Sequence, residues 1–133
     1  MLIGCEELVK NEGFIGWLKT AKGCKLKCSV CTGSLLLGAA GFLDGKKATS
    51  HPTKYHLLHQ YGATVTPDKV HPLSPLGLTK SRGCNQVVDE GDVITARGVS
   101  SAINLGVYLV GLLAGAEVQK KIQTQMDFQG EIL

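Results

Sequence analysis

The run Val30-Cys31-Thr32-Gly33-Ser34 sets a thiol directly after a short strand pattern and directly before a helix of small and aliphatic residues. A side chain on such a turn stands clear of the sheet, as the nucleophile does on a strand-to-helix elbow. The N–H groups that open the next helix have no acceptor within it, so they favour a thiolate and also a negative charge developing on a substrate. Glycine at 33 lets a ligand approach the backbone closely. Small residues after a strand also serve simply to open a helix, so spacing alone leaves both readings open.

Other residues capable of chemistry are less well arranged. Cys24, Cys28 and Cys31 have a C-x3-C-x2-C spacing that suits an iron–sulfur cluster. A cluster needs thiolates converging from one loop, whereas here Cys24 precedes the predicted strand, Cys28 lies inside it and Cys31 follows it. His56 and His59 share a helix face at i, i+3, with His51 just upstream, but zinc requires further converging ligands; solvated or packing roles are expected, with no metal and no cofactor. Arg97, after a predicted strand, suits either an anionic group or a surface ion pair. His71 has no nameable partner. Cys28 is expected in the core, where free thiols behave as small hydrophobes, and Cys5, Cys24 and Cys84 have no motif support.

The elements around these residues follow from periodicity and turn chemistry. Glu6–Thr20 reads as a broken helix or helix-turn, weakened by Gly13 and Gly16. Lys25–Val30 alternates as a strand, and Gly33–Leu43 is apolar on every face, so it predicts an enclosed helix ended by Asp44-Gly45. A short strand Ala48–Ser50, a helix Thr53–Tyr61 closed by Gly62 and a strand Ala63–Thr66 follow. Val70–Gln86, broken by prolines and glycines, predicts a loop insertion. Asp89-Glu90-Gly91 reads as a turn, Asp92–Ala96 as a strand, Val99–Leu113 as a long helix with Gly98 or Ser100 at its cap, and Glu117–Met126 as a last helix. Strands alternating with helices imply an α/β domain with a largely parallel sheet.

Bulk properties narrow the function classes. At 133 residues the chain is one domain's worth, and 44% hydrophobic with 19% charged residues is the balance of an ordinary folded protein. The net charge of +3 comes from scattered lysines without a basic, aromatic-interleaved run, which argues against a nucleic-acid partner. No apolar stretch approaches the roughly 20 residues of a membrane span, and the N-terminus lacks the basic start of a signal peptide, so no membrane partner and a cytoplasmic location are expected. Five irregularly spaced cysteines fit a reducing compartment better than a disulfide framework.

The stretch from Val30 to His51, with its Cys-Thr-Gly-Ser-Leu-Leu-Leu-Gly-Ala-Ala-Gly run, resembles the nucleophile region of the ThiJ/PfpI superfamily, and most of all its isonitrile hydratase branch. Asp92–Gly106 and Glu117–Phe128 are similar to the family's later strand-loop-helix and terminal helix. Ser50-His51-Pro52 and Ala96-Arg97-Gly98 look more like the family's stress-response branch. The resemblance implies a three-layer α/β/α, flavodoxin-like fold related to class I glutamine amidotransferases. It also implies that Cys31 is paired with a histidine about twenty residues on, where His51 stands, and that such proteins act on a small molecule, commonly as homodimers or other oligomers.

Family domains normally begin with two or more further strand–helix units, and these carry a carboxylate that activates the elbow cysteine. Without them the elbow strand would lack a neighbour. Glu6, Glu7 and Glu12 are the upstream carboxylates nearest in sequence, and on the family's register they belong to a surface helix. The expectations are therefore a cysteine-dependent hydro-lyase with Cys31 and His51 as catalytic residues, Thr32 and Gly33 at the oxyanion turn and Arg97 on an anionic group; or a non-catalytic, redox-responsive protein using the same thiol; or a truncated subunit that needs a partner.

Overall fold

The computed structural model describes residues 4–66 and 87–128, so the Val70–Gln86 segment, with His71 and Cys84, lies outside the described residues. The first helical stretch is broken as expected, into α1 (Cys5–Leu8) and α2 (Glu12–Lys19). Asn11 restarts it by accepting a hydrogen bond from the Phe14 N–H at 2.9 Å, an N-cap that satisfies one of the helix's orphan donors.

Next comes β1 (Lys27–Val30), followed by α3 (Gly33–Ala39). Ser34, Leu35, Leu37 and Gly38 of α3 are buried, which explains its apolar periphery. The helix stops earlier than the sequence suggests, at Gly41 rather than at Asp44-Gly45. Gly41 takes φ +84°, its N–H bonds the Gly38 carbonyl and the Phe42 N–H bonds the Leu37 carbonyl, a closure in which glycine alone is unstrained. Gly38 is held to hydrogen for another reason: a Cβ there would fall 2.7 Å from the Tyr61 ring.

β2 (Lys47–Ala48) is shorter than expected and pairs parallel with β3 (Thr64–Val65). Between them run a tight helical turn at Pro52–Lys54, α4 (Tyr55–Leu58) and a second tight turn, His59–Tyr61, closed by Gly62 at φ +72°. β4 (Val87–Asp89), unforeseen in the sequence, pairs antiparallel with β5 (Val93–Ala96) around Gly91. The chain then forms α5 (Ser101–Ala114) and α6 (Ala116–Gln125), separated by Gly115. Among the described residues no helix is long and apolar enough to cross a membrane.

The main sheet has the order β1-β5-β4, with β1 and β5 parallel and Lys27 opposite Val93 through to Val30 opposite Ala96. Alternation along β5 divides the core in two. Val93 joins Leu35, Leu37, Leu43 and Leu58 on the α3 side, and Ile94 and Ala96 join Val87, Leu105 and Tyr108 on the α5 side. Helices over both faces of a mixed sheet make this a three-layer α/β fold, as the sequence implied.

The same alternation corrects the expectation for Cys28. It shares the α5 face with Val30, but α5 leaves that end of β1 uncovered and Cys28 is exposed. Lys27, by contrast, is buried on the α3 face. Its amine contacts Asp92 Oδ2 at 3.2 Å and the Cys24 carbonyl at 3.0 Å and lies 5.4 Å from the centre of the Phe42 ring. Asp92 also accepts from Lys46 at 3.0 Å.

The hydrogen bond from Lys46, aided by Lys27, holds the Asp92 carboxyl below its ordinary range. A depressed folded-state value gives stability that is present above the unfolded value of about 3.9 and is lost as pH falls through the folded one. Because Asp92 is half exposed, Asp92→Asn should cost only about 1 kcal/mol at neutral pH. In urea titrations the difference from the parent should shrink as the pH falls below about 4.

Candidate active site

The β1–β5 ladder runs one residue past the strand, with the Cys31 N–H donating to the Ala96 carbonyl at 3.0 Å. There the backbone turns into the left-handed region, with Cys31 at φ +58°. A side-chain-bearing residue in this region costs on the order of 1–2 kcal/mol, so something must hold it. Two buried hydroxyls do so: the Cys31 carbonyl accepts from Ser34 Oγ at 3.1 Å and from Ser50 Oγ at 3.0 Å. The Leu35 N–H then bonds the Thr32 carbonyl at 3.0 Å and starts α3.

Ser50 arrives by way of the segment after β2, which is fixed to the sheet by the Thr49 N–H on Thr95 Oγ1 at 3.0 Å. The residue following this clamp is His51. Its ring is half-buried, and Nδ1 lies 2.8 Å from Thr53 Oγ1 and accepts, at 3.4 Å, from the Thr53 N–H. An accepting Nδ1 assigns the proton of the neutral ring to Nε2. The structure thus brings the Cys31 and His51 segments together through one hydrogen bond. Arg97 leaves β5 beside the point where Cys31 leaves β1, because Val30 and Ala96 are register partners, and it is half-buried.

Thr32 is tied to the first helix. It occupies the cap position of α3 without a side-chain cap bond, and its hydroxyl instead donates to Cys5 Sγ at 3.2 Å. Gly33 is half-buried, and a Cβ there would meet Ser29 at an ordinary 3.6 Å, so packing does not require glycine. Glu6 is committed to an ion pair with Lys54, whose hydrogen bond and charge lower its carboxyl below the usual range. His56 and His59 are exposed, and among the described residues no group of three His, Cys, Asp or Glu is placed to hold a metal.

Three contributors were missed in the sequence. Ser34 carries a usable signal, since a hydroxyl three residues after a turn residue commonly bonds back to its carbonyl. Ser50 and Cys5 carry none, being long-range contacts.

Fold and site define an α/β protein with a cysteine elbow closed by a histidine-bearing segment. Residues 2–111 match the model of the DJ-1/PfpI family, and the chain belongs to that family. It is 30% identical over 126 residues to an isonitrile hydratase of Pseudomonas putida, covering 94% of this chain and 48% of that protein. Among solved structures it resembles a ThiJ/PfpI family protein from Pseudomonas syringae at 27% identity with a TM-score of 0.72, over 94% of this chain and 45% of the other. Drosophila melanogaster DJ-1beta shares the fold at 20% identity and a TM-score of 0.68, over 91% and 56%. The chain therefore spans about half the length of the relatives it matches.

Strain at the elbow gives a direct test. Cys31→Gly relieves it and Cys31→Ala does not, so the glycine variant should be the more stable of the two by about 1 kcal/mol in urea unfolding. At an ordinary strand or helix position the order is reversed by a similar amount.

Proposed function

We propose that this protein is a cysteine-dependent hydro-lyase of the isonitrile hydratase type, converting R–N≡C and water to the N-substituted formamide R–NH–CHO. The observation that carries this reading is Cys31 in a strained backbone conformation, held by Ser34 and Ser50 with His51 next in chain. Strain that the surroundings over-determine is typical of functional positions. The choice of substrate follows the likeness to an isonitrile hydratase, at 30% identity over 126 residues.

In the proposed reaction the Cys31 thiolate adds to the terminal isonitrile carbon, which takes a proton to give a thioformimidate. Water adds to that carbon, the C–S bond breaks, and the thiolate departs as the formamide forms. His51 is the group that moves the protons, with Nδ1 held by Thr53. The Gly33 N–H and the Thr32 turn receive the negative charge that develops during addition. Arg97 binds a carboxylate where the R group carries one.

Formamide formation from an aliphatic isonitrile should fall by about 10³-fold or more in Cys31→Ala and by about 10²-fold in His51→Ala. Equal turnover by Cys31→Ala and the parent would sink the reading. For an isonitrile whose R group bears a carboxylate, Arg97→Gln should raise KM about tenfold and leave kcat unchanged, the loss of a single charged hydrogen bond.

A further inference from the structure

We propose that Cys5 is a second redox-active thiol of this site, which captures the oxidised form of Cys31 in an intramolecular disulfide. The inference rests on the reading above only in using the same elbow sulfur, and it requires no hydration activity.

The Thr32 hydroxyl, one residue from the elbow, donates to Cys5 Sγ at 3.2 Å. Adjacent Cα atoms lie about 3.8 Å apart, so this bond keeps the Cys5 sulfur within roughly 9–10 Å of the Cys31 Cα. Both residues are half-buried, so each keeps some contact with solvent. A hydroxyl spent on a sulfur instead of on capping α3 is a bond that strengthens as the sulfur gains negative charge.

Closing the remaining distance asks little of the fold. The helix α1 that carries Cys5 is four residues long with no buried residue. Its described side-chain hydrogen bonds and ion pairs are the Thr32 contact and the exposed Glu6–Lys54 pair, beside partial packing against α3. Short, exposed elements open at small free-energy cost, so Cys5 can approach while the elbow stays fixed by its three hydrogen bonds.

The oxidant is a hydroperoxide. The Cys31 thiolate attacks its terminal oxygen, the O–O bond breaks, and the departing alkoxide or hydroxide takes up the proton that Cys31 released, giving alcohol or water, so that sulfur is oxidised by two electrons to the sulfenic acid. The Cys5 thiolate then attacks the Cys31 sulfur, the S–O bond breaks, and hydroxide leaves and takes up the proton that Cys5 released, giving water and the disulfide. Capture at this stage keeps Cys31 from the irreversible sulfinic state, and a thiol reductant restores it.

The test uses the full chain with Cys24, Cys28 and Cys84 replaced by serine, leaving Cys5 and Cys31. It is treated with hydrogen peroxide, alkylated, and read by intact mass and peptide mapping, with circular dichroism matched to the parent. The monomer should lose two hydrogens and yield a cross-linked Cys5–Cys31 peptide, and reductant should reverse this. Adding Cys5→Ser should instead give Cys31 carrying one and then two oxygens. Adding Cys31→Ser should abolish the response. The proposal is overturned if Cys31 gains oxygen while Cys5 still alkylates, if the disulfide joins two chains, or if neither thiol responds. A cross-link without formamide turnover would leave this inference standing and remove the hydratase; turnover without a cross-link would do the reverse.

Discussion

The parallel pairing of β1 with β5 is the interaction on which the rest of the structure depends. Its last rung, from the Cys31 N–H to the Ala96 carbonyl, fixes where the first strand ends. The chain must then turn at residue 31 itself, and the left-handed backbone there results from ending the ladder one residue late. At the other end the Lys27 N–H bonds the Asp92 carbonyl at 2.9 Å while the Lys27 amine bonds the Asp92 side chain. Both ends are therefore pinned, and a slip of one residue would carry the buried lysine to the opposite face.

This pairing also places the two packing layers. Because side chains alternate along β5, Val93 and Ile94 address different helices, and α3 and α5 are set by neighbouring residues of one strand. The layers are unequal in cover. Cys28 on β1 and several apolar residues of the later helices, Leu113 and Val118 among them, stay in contact with solvent. Among the described residues β1 also has an unpaired edge, in a chain that spans about half the length of its relatives.

What could be read in the sequence was what is local. The elbow, the glycine at 62 and the break in the first helix are set by residues within four or five positions of one another, and all three were legible. The end of α3 was misplaced because two glycine signals compete there: Gly41 is followed by Phe42, whose packing against the α3-side core completes the earlier closure. β4 was missed because Val87-Val88 before a turn is too short for a period to register. Cys28 was misjudged because alternation gives a face and says nothing of how far the covering helix reaches. The contacts of Ser50 and Cys5 with the elbow join residues 19 and 27 positions from their partners, and no local pattern reports such closeness.

The backbone at residue 31 also bears on mutational drift. Cysteine and glycine codons differ by one base, and the conformation at this position favours glycine. A chain retained only for its ability to fold would gain stability by that substitution and meet no barrier to it. The cysteine therefore stands at a position whose backbone conformation favours glycine.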